Sequence, residues 1–142
     1  MAAKIWPGRK FSDYVELVKA HEVGQRLPAG WVPATTHCGF LDGEIACRFS
    51  LRHSLNDFLL KIGGHIGYGV LPKFRRRGFA RIMLQEALGL SKRLGISRVL
   101  LTCDDDNVGS IKTIESCGGM LENMVGAGPE KPLKRRYWIE VT

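Results

Sequence analysis

GGHIGYGVLPKFRRRGFA, residues 63–80, is the stretch around which the rest of the chain arranges itself. His65 to Leu71 reads as a short alternating strand ended by Pro72. Arg75, Arg76 and Arg77 follow, and Gly78-Phe79-Ala80 opens a long amphipathic helix. The first turn of such a helix presents N–H groups with no partner inside the helix, and the macrodipole adds about half a positive charge there. Gly78 allows close approach to the backbone, and the three arginines surround that point with charge suited to a diphosphate. These residues alone predict a phosphorylated ligand.

Downstream of the turn, Phe79, Met83, Ala87, Leu90 and Leu94 recur at spacings of three and four, which predicts one apolar helix face, with Arg81, Gln85 and Lys92 on the other. Gly95 suits a left-handed helix stop. Val99-Leu100-Leu101 is a continuous apolar run, as expected of a central parallel strand covered on both faces. Strand, helix and strand should form a right-handed unit. Asp104 to Asp106 lead into a second helix, Asn107 to Cys117, and Met120 to Val125 and Arg135 to Val141 read as two last strands around a loop at Gly126 to Pro132.

Upstream, Phe11 to Val23 has helical apolar spacing, with Ser12 and Asp13 as capping candidates. Leu27 to Pro33 is a loop by its Pro and Gly content, and its Trp31 either lines a pocket or covers the edge of the core. Asp42-Gly43 is a hairpin signal between strands at Thr36 to Leu41 and Glu44 to His53. The second strand alternates Ile45, Cys47, Phe49 and Leu51 with Ala46, Arg48, Ser50 and Arg52, so one face is buried and the other partly wet. Ser54 to Lys61 has no clear pattern.

Val70-Leu71-Pro72-Lys73-Phe74-Arg75-Arg76-Arg77-Gly78-Phe79-Ala80 resembles the Arg/Gln-x-x-Gly-x-Gly/Ala signature of the GNAT family of N-acetyltransferases, including the Val-x-Pro that ends their fourth strand. Asp106 to Ser110 resembles that family's Asn-x-x-Ala/Ser, and Gly118-Gly119 stands where the family usually has Gly-Phe. The resemblance covers roughly Asp42 to Trp138. It implies a mixed α+β fold with antiparallel N-terminal strands, a central strand-helix-strand coenzyme unit and a C-terminal hairpin. The family's first strand would be missing or displaced here, because Pro7-Gly8 breaks the few residues before the first helix.

The resemblance further implies an N-acetyltransferase that moves the acetyl group of acetyl-CoA to a primary amine by direct attack. The diphosphate would sit on the amides of Arg76 through Ala80 and the pantetheine between splayed strands at His65 to Leu71 and Arg98 to Cys103. Val70 N–H would polarise the thioester carbonyl, and Asn107 and Ser110 would border the pantetheine. Asn107 is equally a natural helix N-cap. Ile114 occupies the position where many relatives carry a tyrosine acid. For the base, His65 and Tyr68 are the first candidates, with His53 and Glu44 on the neighbouring strand. Strand alternation puts His65 and Tyr68 on opposite faces, so at most one faces the acceptor. A packed core role is the simpler reading for each. Cys117, far from Asn107 along its helix, reads as structural.

The 142 residues carry a net charge of +7, with 44% hydrophobic and 25% charged residues, which fits one domain spanning 1–142. The basic residues concentrate at Lys73 to Arg81 and Lys131 to Arg136. Neither stretch has the aromatic interleaving or recognition-helix pattern of a nucleic-acid binder. A triphosphorylated coenzyme accounts for the first, and a solvated strand edge for the second. Four scattered cysteines and four histidines show no metal-ligand spacing, no run approaches the about 20 apolar residues of a membrane span, and the N-terminus lacks a signal core. The expectation is a cytoplasmic enzyme without metal, nucleic-acid or membrane partners, acting on a small-molecule or peptide amine. Relatives often form homodimers. A non-catalytic acyl-CoA sensor on the same fold is the alternative.

Overall fold

The computed structural model describes residues 10–141. Helix α1 spans Phe11–Glu22, followed by strands β1, Ala34–Leu41, and β2, Glu44–Arg52. A π-type turn at Leu59–Gly63 precedes β3, Ile66–Val70, and a 3-10 turn at Pro72–Phe74 precedes α2, Phe79–Arg93. Then come β4, Arg98–Asp104; α3, Val108–Ser116; β5, Met120–Val125; and β6, Lys134–Glu140. The strands form two antiparallel sheets, ordered β1-β2-β3 and β4-β6-β5.

Asp42 and Gly43 both take left-handed φ, +51° and +79°, and close the β1/β2 hairpin as their sequence demands. On β2 the alternation holds from Cys47 onward: Cys47, Phe49 and Leu51 are buried in the core, while Arg48, Ser50 and Arg52 occupy the opposite face; Ala46, expected on the wet face, is buried where the β1/β2 register shifts. Helix α2 packs against β2 and β3. Its buried stripe is Met83, Leu84, Ala87 and Ser91, so the expected stripe is rotated towards Leu84 and Ser91, and Leu94 is 47% exposed. Ser91 fits because its hydroxyl donates to Ala87 O at 2.8 Å, leaving no buried polar group unmet. Helix α1 begins after Lys10 with no side-chain cap. Ser12 and Asp13 fall inside its first turn rather than at its N-cap.

Two further expectations change. Lys134 to Arg136 do not lie on an edge, because β6 threads between β4 and β5 and is the middle strand of its sheet. The unpatterned Ser54 to Lys61 connection becomes a turn of helix running into the π-type turn, with Leu59 buried. The place where a displaced first strand was sought lies outside the described residues.

The sheets meet at the start of β3. His65 N donates to Leu100 O at 2.7 Å, and Leu100 N donates to His65 Nδ1 at 2.9 Å. A Cβ on Gly64, whose φ is +70°, would stand 2.6 Å from Leu100 O, so only glycine lets the chains approach this closely. Beyond this joint β3 and β4 are in different sheets, so β4 is not the central parallel strand its apolar run predicts but an outer strand paired antiparallel to β6, its apolar residues buried nonetheless.

Candidate active site

The parting of β3 from β4 leaves backbone groups without strand partners. Arg52 N donates to His65 O at 2.7 Å and Leu71 N to Ala46 O at 2.9 Å, which sets the hydrogen-bonded rungs between β2 and β3. Gly67 and Gly69 therefore bond towards β2, and Tyr68 and Val70 turn their N–H and C=O groups away from it. Across the gap, Asp105 N donates to Leu133 O and Val141 N to Ser97 O, each at 2.8 Å, which fixes the β4/β6 rungs. Thr102 accordingly aims its main-chain groups towards β3, whereas at the strand end the Asp104 carbonyl accepts from Asn107 N at 3.0 Å. The result is a slot lined by peptide groups, with Val70 O already accepting from Arg75 Nε at 3.2 Å.

The mouth of the slot is the turn at residues 75–78. Arg76 and Gly78 both have left-handed φ, +63° and +82°. Helix α2 starts with no side-chain cap, and nothing lies within 4 Å of where a Gly78 Cβ would be. Its first-turn N–H groups therefore receive no side-chain cap, and the entry to the helix is open on the Gly78 side. Arg75, Arg76 and Arg77 are exposed, and none has an ion-pair partner among the described residues. A turn that exposes amides and three uncompensated guanidinium groups is built for an anion.

The sequence-derived candidates fall in three places. Arg75 to Ala80 form the mouth, and Val70 and Leu71 end the slot's β3 wall. Asn107 caps α3, its Oδ1 accepting from Ser110 N at 3.2 Å. Tyr68 and His65 do not converge. The His65 ring is buried and engaged with Leu100 N, and burial first, then the Arg52 charge, push its pKa below the usual histidine value. Tyr68 lies beside α3, where burial raises its pKa and the nearby Ser110 and Thr113 hydroxyls oppose the rise. Its buried hydroxyl makes no well-formed hydrogen bond among the described residues. His53 Nε2 pairs with Thr35 Oγ1 at 2.8 Å, and Glu44 with Lys73 at 2.6 Å. Ile114 is fully buried core.

Two of the three acids in the loop before α3 are paired, Asp104 with Lys134 and Asp105 with Arg135, each at 2.6 Å. A cavity of about 430 Å³ lies between α1, the loop carrying Trp31, the exposed face of β1 and β2, and the turn at Phe58 and Leu59. Sequence reasoning missed its polar floor, Arg48 and Arg52.

The family model for the Acetyltransferase (GNAT) family matches residues 14–119, from α1 to the end of the second coenzyme helix. The chain belongs to the GNAT acetyltransferase family. Within it, the chain is 31% identical over 78 residues to the uncharacterized N-acetyltransferase YjdG of Bacillus subtilis, a match spanning 54% of this chain and 42% of that protein. Two solved structures share the GNAT fold. That of yncA from Salmonella typhimurium, solved with its cofactor acetyl-CoA, has a TM-score of 0.68 at 15% identity, covering 99% of this chain and 80% of that one. The spermidine/spermine N-acetyltransferase SpeG of Vibrio cholerae has a TM-score of 0.65 at 16% identity, covering 95% and 79%. In this GNAT chain the described residues hold no group of metal-ligating side chains, and no described helix is long and apolar enough to cross a membrane.

Proposed function

We propose that the protein is an acetyl-CoA-dependent N-acetyltransferase acting on a primary amine, with residues 1–142 working as one domain. The observation that carries this reading is the pairing of an uncapped, glycine-entered helix mouth with a slot of peptide groups that lack strand partners. That combination fits a ligand with a diphosphate at one end and amides along its arm. Acetyl-CoA, when bound, supplies an activated acetyl thioester.

The chain's own residues divide the remaining work. Amides from Arg76 to Ala80 hold the diphosphate, and the three arginines balance its charge. Tyr68, Val70 and Thr102 offer main-chain groups to the pantetheine amides, and Asn107 and Ser110 line the α3 side. Val70 N–H is a fixed dipole for a carbonyl oxygen that gains charge, and it needs no reorganisation to act. We assign His65 to fastening the two sheets rather than to proton removal, because its Nδ1 is occupied and its ring is buried. Tyr68 is the better placed of the two for proton transfer, since its hydroxyl is unpaired beside Ser110. The four unpaired cysteines suit a reducing compartment such as the cytoplasm.

The test is thiol release from acetyl-CoA across a panel of amines, run beside calorimetric titration with CoA. CoA binding with amine-dependent thiol release is the expected result. Binding without release from any amine would favour an acyl-CoA sensor, and no binding would remove the proposal.

A further inference from the structure

The cavity beneath α1 is floored by two arginines that have no acidic partner among the described residues. Arg48, Ser50 and Arg52 line its β2 floor, next to Thr36 of β1. Arg48 Nη1 donates to Tyr14 OH at 2.8 Å, and Arg52 Nη1 to the carbonyls of Gly63 and Gly64 at 3.1 and 3.2 Å. Neither guanidinium has a carboxylate partner among the described residues, and no Asp or Glu lines the cavity. Burial and the neighbouring Arg48 charge both lower the pKa of Arg52, so two like charges are held together without compensation. His21 adds a second, independent sign: its Nε2 is buried at the cavity wall with no hydrogen-bond partner among the described residues, its ring edge-on to Trp31 at 5.8 Å. Unmet polar atoms and unpaired charges in a concave, otherwise apolar space are what a complementary ligand relieves.

The cavity also adjoins the slot. The Arg52 guanidinium lies 3.8–3.9 Å from where a Cβ on Gly67 would be, on the strand whose next residue, Tyr68, lines the gap between the sheets. The remaining walls are largely apolar, including Leu17, Val18, Val32 and Phe58, with the Asn56 amide already bonded to Gly30 O and Leu59 N, and the volume of about 430 Å³ suits one small molecule. A polyamine would meet two guanidinium groups and no carboxylate there.

We propose that this cavity is the acceptor site and that its acceptor is a small amine bearing a carboxylate and an apolar side chain, as an apolar α-amino acid does. The carboxylate sits between Arg48 and Arg52, and the side chain lies against α1 and Trp31. This rests on the acetyltransferase reading above.

The test compares phenylalanine and leucine with phenethylamine and isopentylamine, which lack only the carboxylate, and with spermidine. Thiol release gives kcat/KM, and calorimetry gives acceptor binding to the CoA-loaded protein. Each carboxylated amine should exceed its decarboxylated partner at least tenfold in both. Arg48→Gln should collapse that ratio while CoA binding persists, and Arg48→Lys should restore part of it. Arg48 is the residue to change because Arg52 also ties down the Gly63-Gly64 turn. Preference for spermidine or the decarboxylated amines, or an unchanged ratio in Arg48→Gln, would overturn the assignment. Phenylalanine binding that depends on Arg48, with no thiol release, would keep the anion site and discard the transferase. Release from amines with no carboxylate preference would do the reverse.

Discussion

Two runs of basic residues look alike in the sequence and differ in the fold. At Lys134, Arg135 and Arg136 each cation has an acidic partner, Asp104, Asp105 and Glu122 respectively. Arg136 is 8% exposed and also donates to Leu60 O through Nε and Nη2, at 3.1 and 2.9 Å, clamping the π-type turn onto β6. At Arg75, Arg76 and Arg77 no acid among the described residues answers the charge. The compensated arginines hold this molecule together, and the uncompensated ones are those proposed to meet the coenzyme. The count of charges says nothing about which is which; the count of partners does.

The comparison can be broken most forcefully at Arg136. Arg136→Ala leaves the Leu60 carbonyl unanswered, while Glu122 is exposed enough to be met by water, and should cost about 2 kcal/mol in denaturant unfolding, with CoA affinity unaltered in the folded fraction. An effect below about 0.5 kcal/mol would mean the paired cluster is ornamental. The mirror experiment is the double change Arg76→Gln and Arg77→Gln. It should weaken CoA binding by about 2 kcal/mol, roughly thirtyfold, and flatten its salt dependence while leaving unfolding midpoints in place. If stability fell instead, these arginines would belong with the first group.

A smaller effect should follow from Gly78→Ala. Space for the methyl group is open, but the φ of +82° is not one an L-residue adopts freely, so about 1 kcal/mol of stability should be lost. Replacement by D-alanine through semisynthesis should restore it. Smallest is the acid response of the joint at His65, which lies within reach of the uncompensated Arg52 charge. Its folded pKa is lowered, so the unfolded chain takes up the proton first as pH falls. Stability from this group is full above about 6.5 and declines as pH drops towards the folded value. His65→Asn should remove that part of the slope in a series of melting curves between about pH 7.5 and 5.

Much of this was legible because it was local. The Asp42-Gly43 turn, the strand-helix-strand unit and the Gly78 mouth each depend on residues adjacent in sequence, and the family signature lies in the same places. What escaped was assembled from afar. Nothing near Lys134 to Arg136 announces that β6 inserts between β4 and β5, so a middle strand read as an edge. His65 could be placed on a strand face, but its partner Leu100 lies 35 residues on. The cavity floor left one trace: arginines at alternate positions, Arg48 and Arg52 around Ser50, on a strand flanked on both sides. Their meaning emerged only when α1 and the Trp31 loop were seen to roof them.

The parting of β3 from β4 has a consequence for how such a protein can change. A groove made of main chain keeps its preference whatever side chains drift through positions 68, 70 and 102, so one donor can be retained across distant descendants. On the acceptor assignment proposed above, a chamber floored by two guanidinium groups has no such inertia, and a single codon at Arg48 is enough to alter which guests it admits.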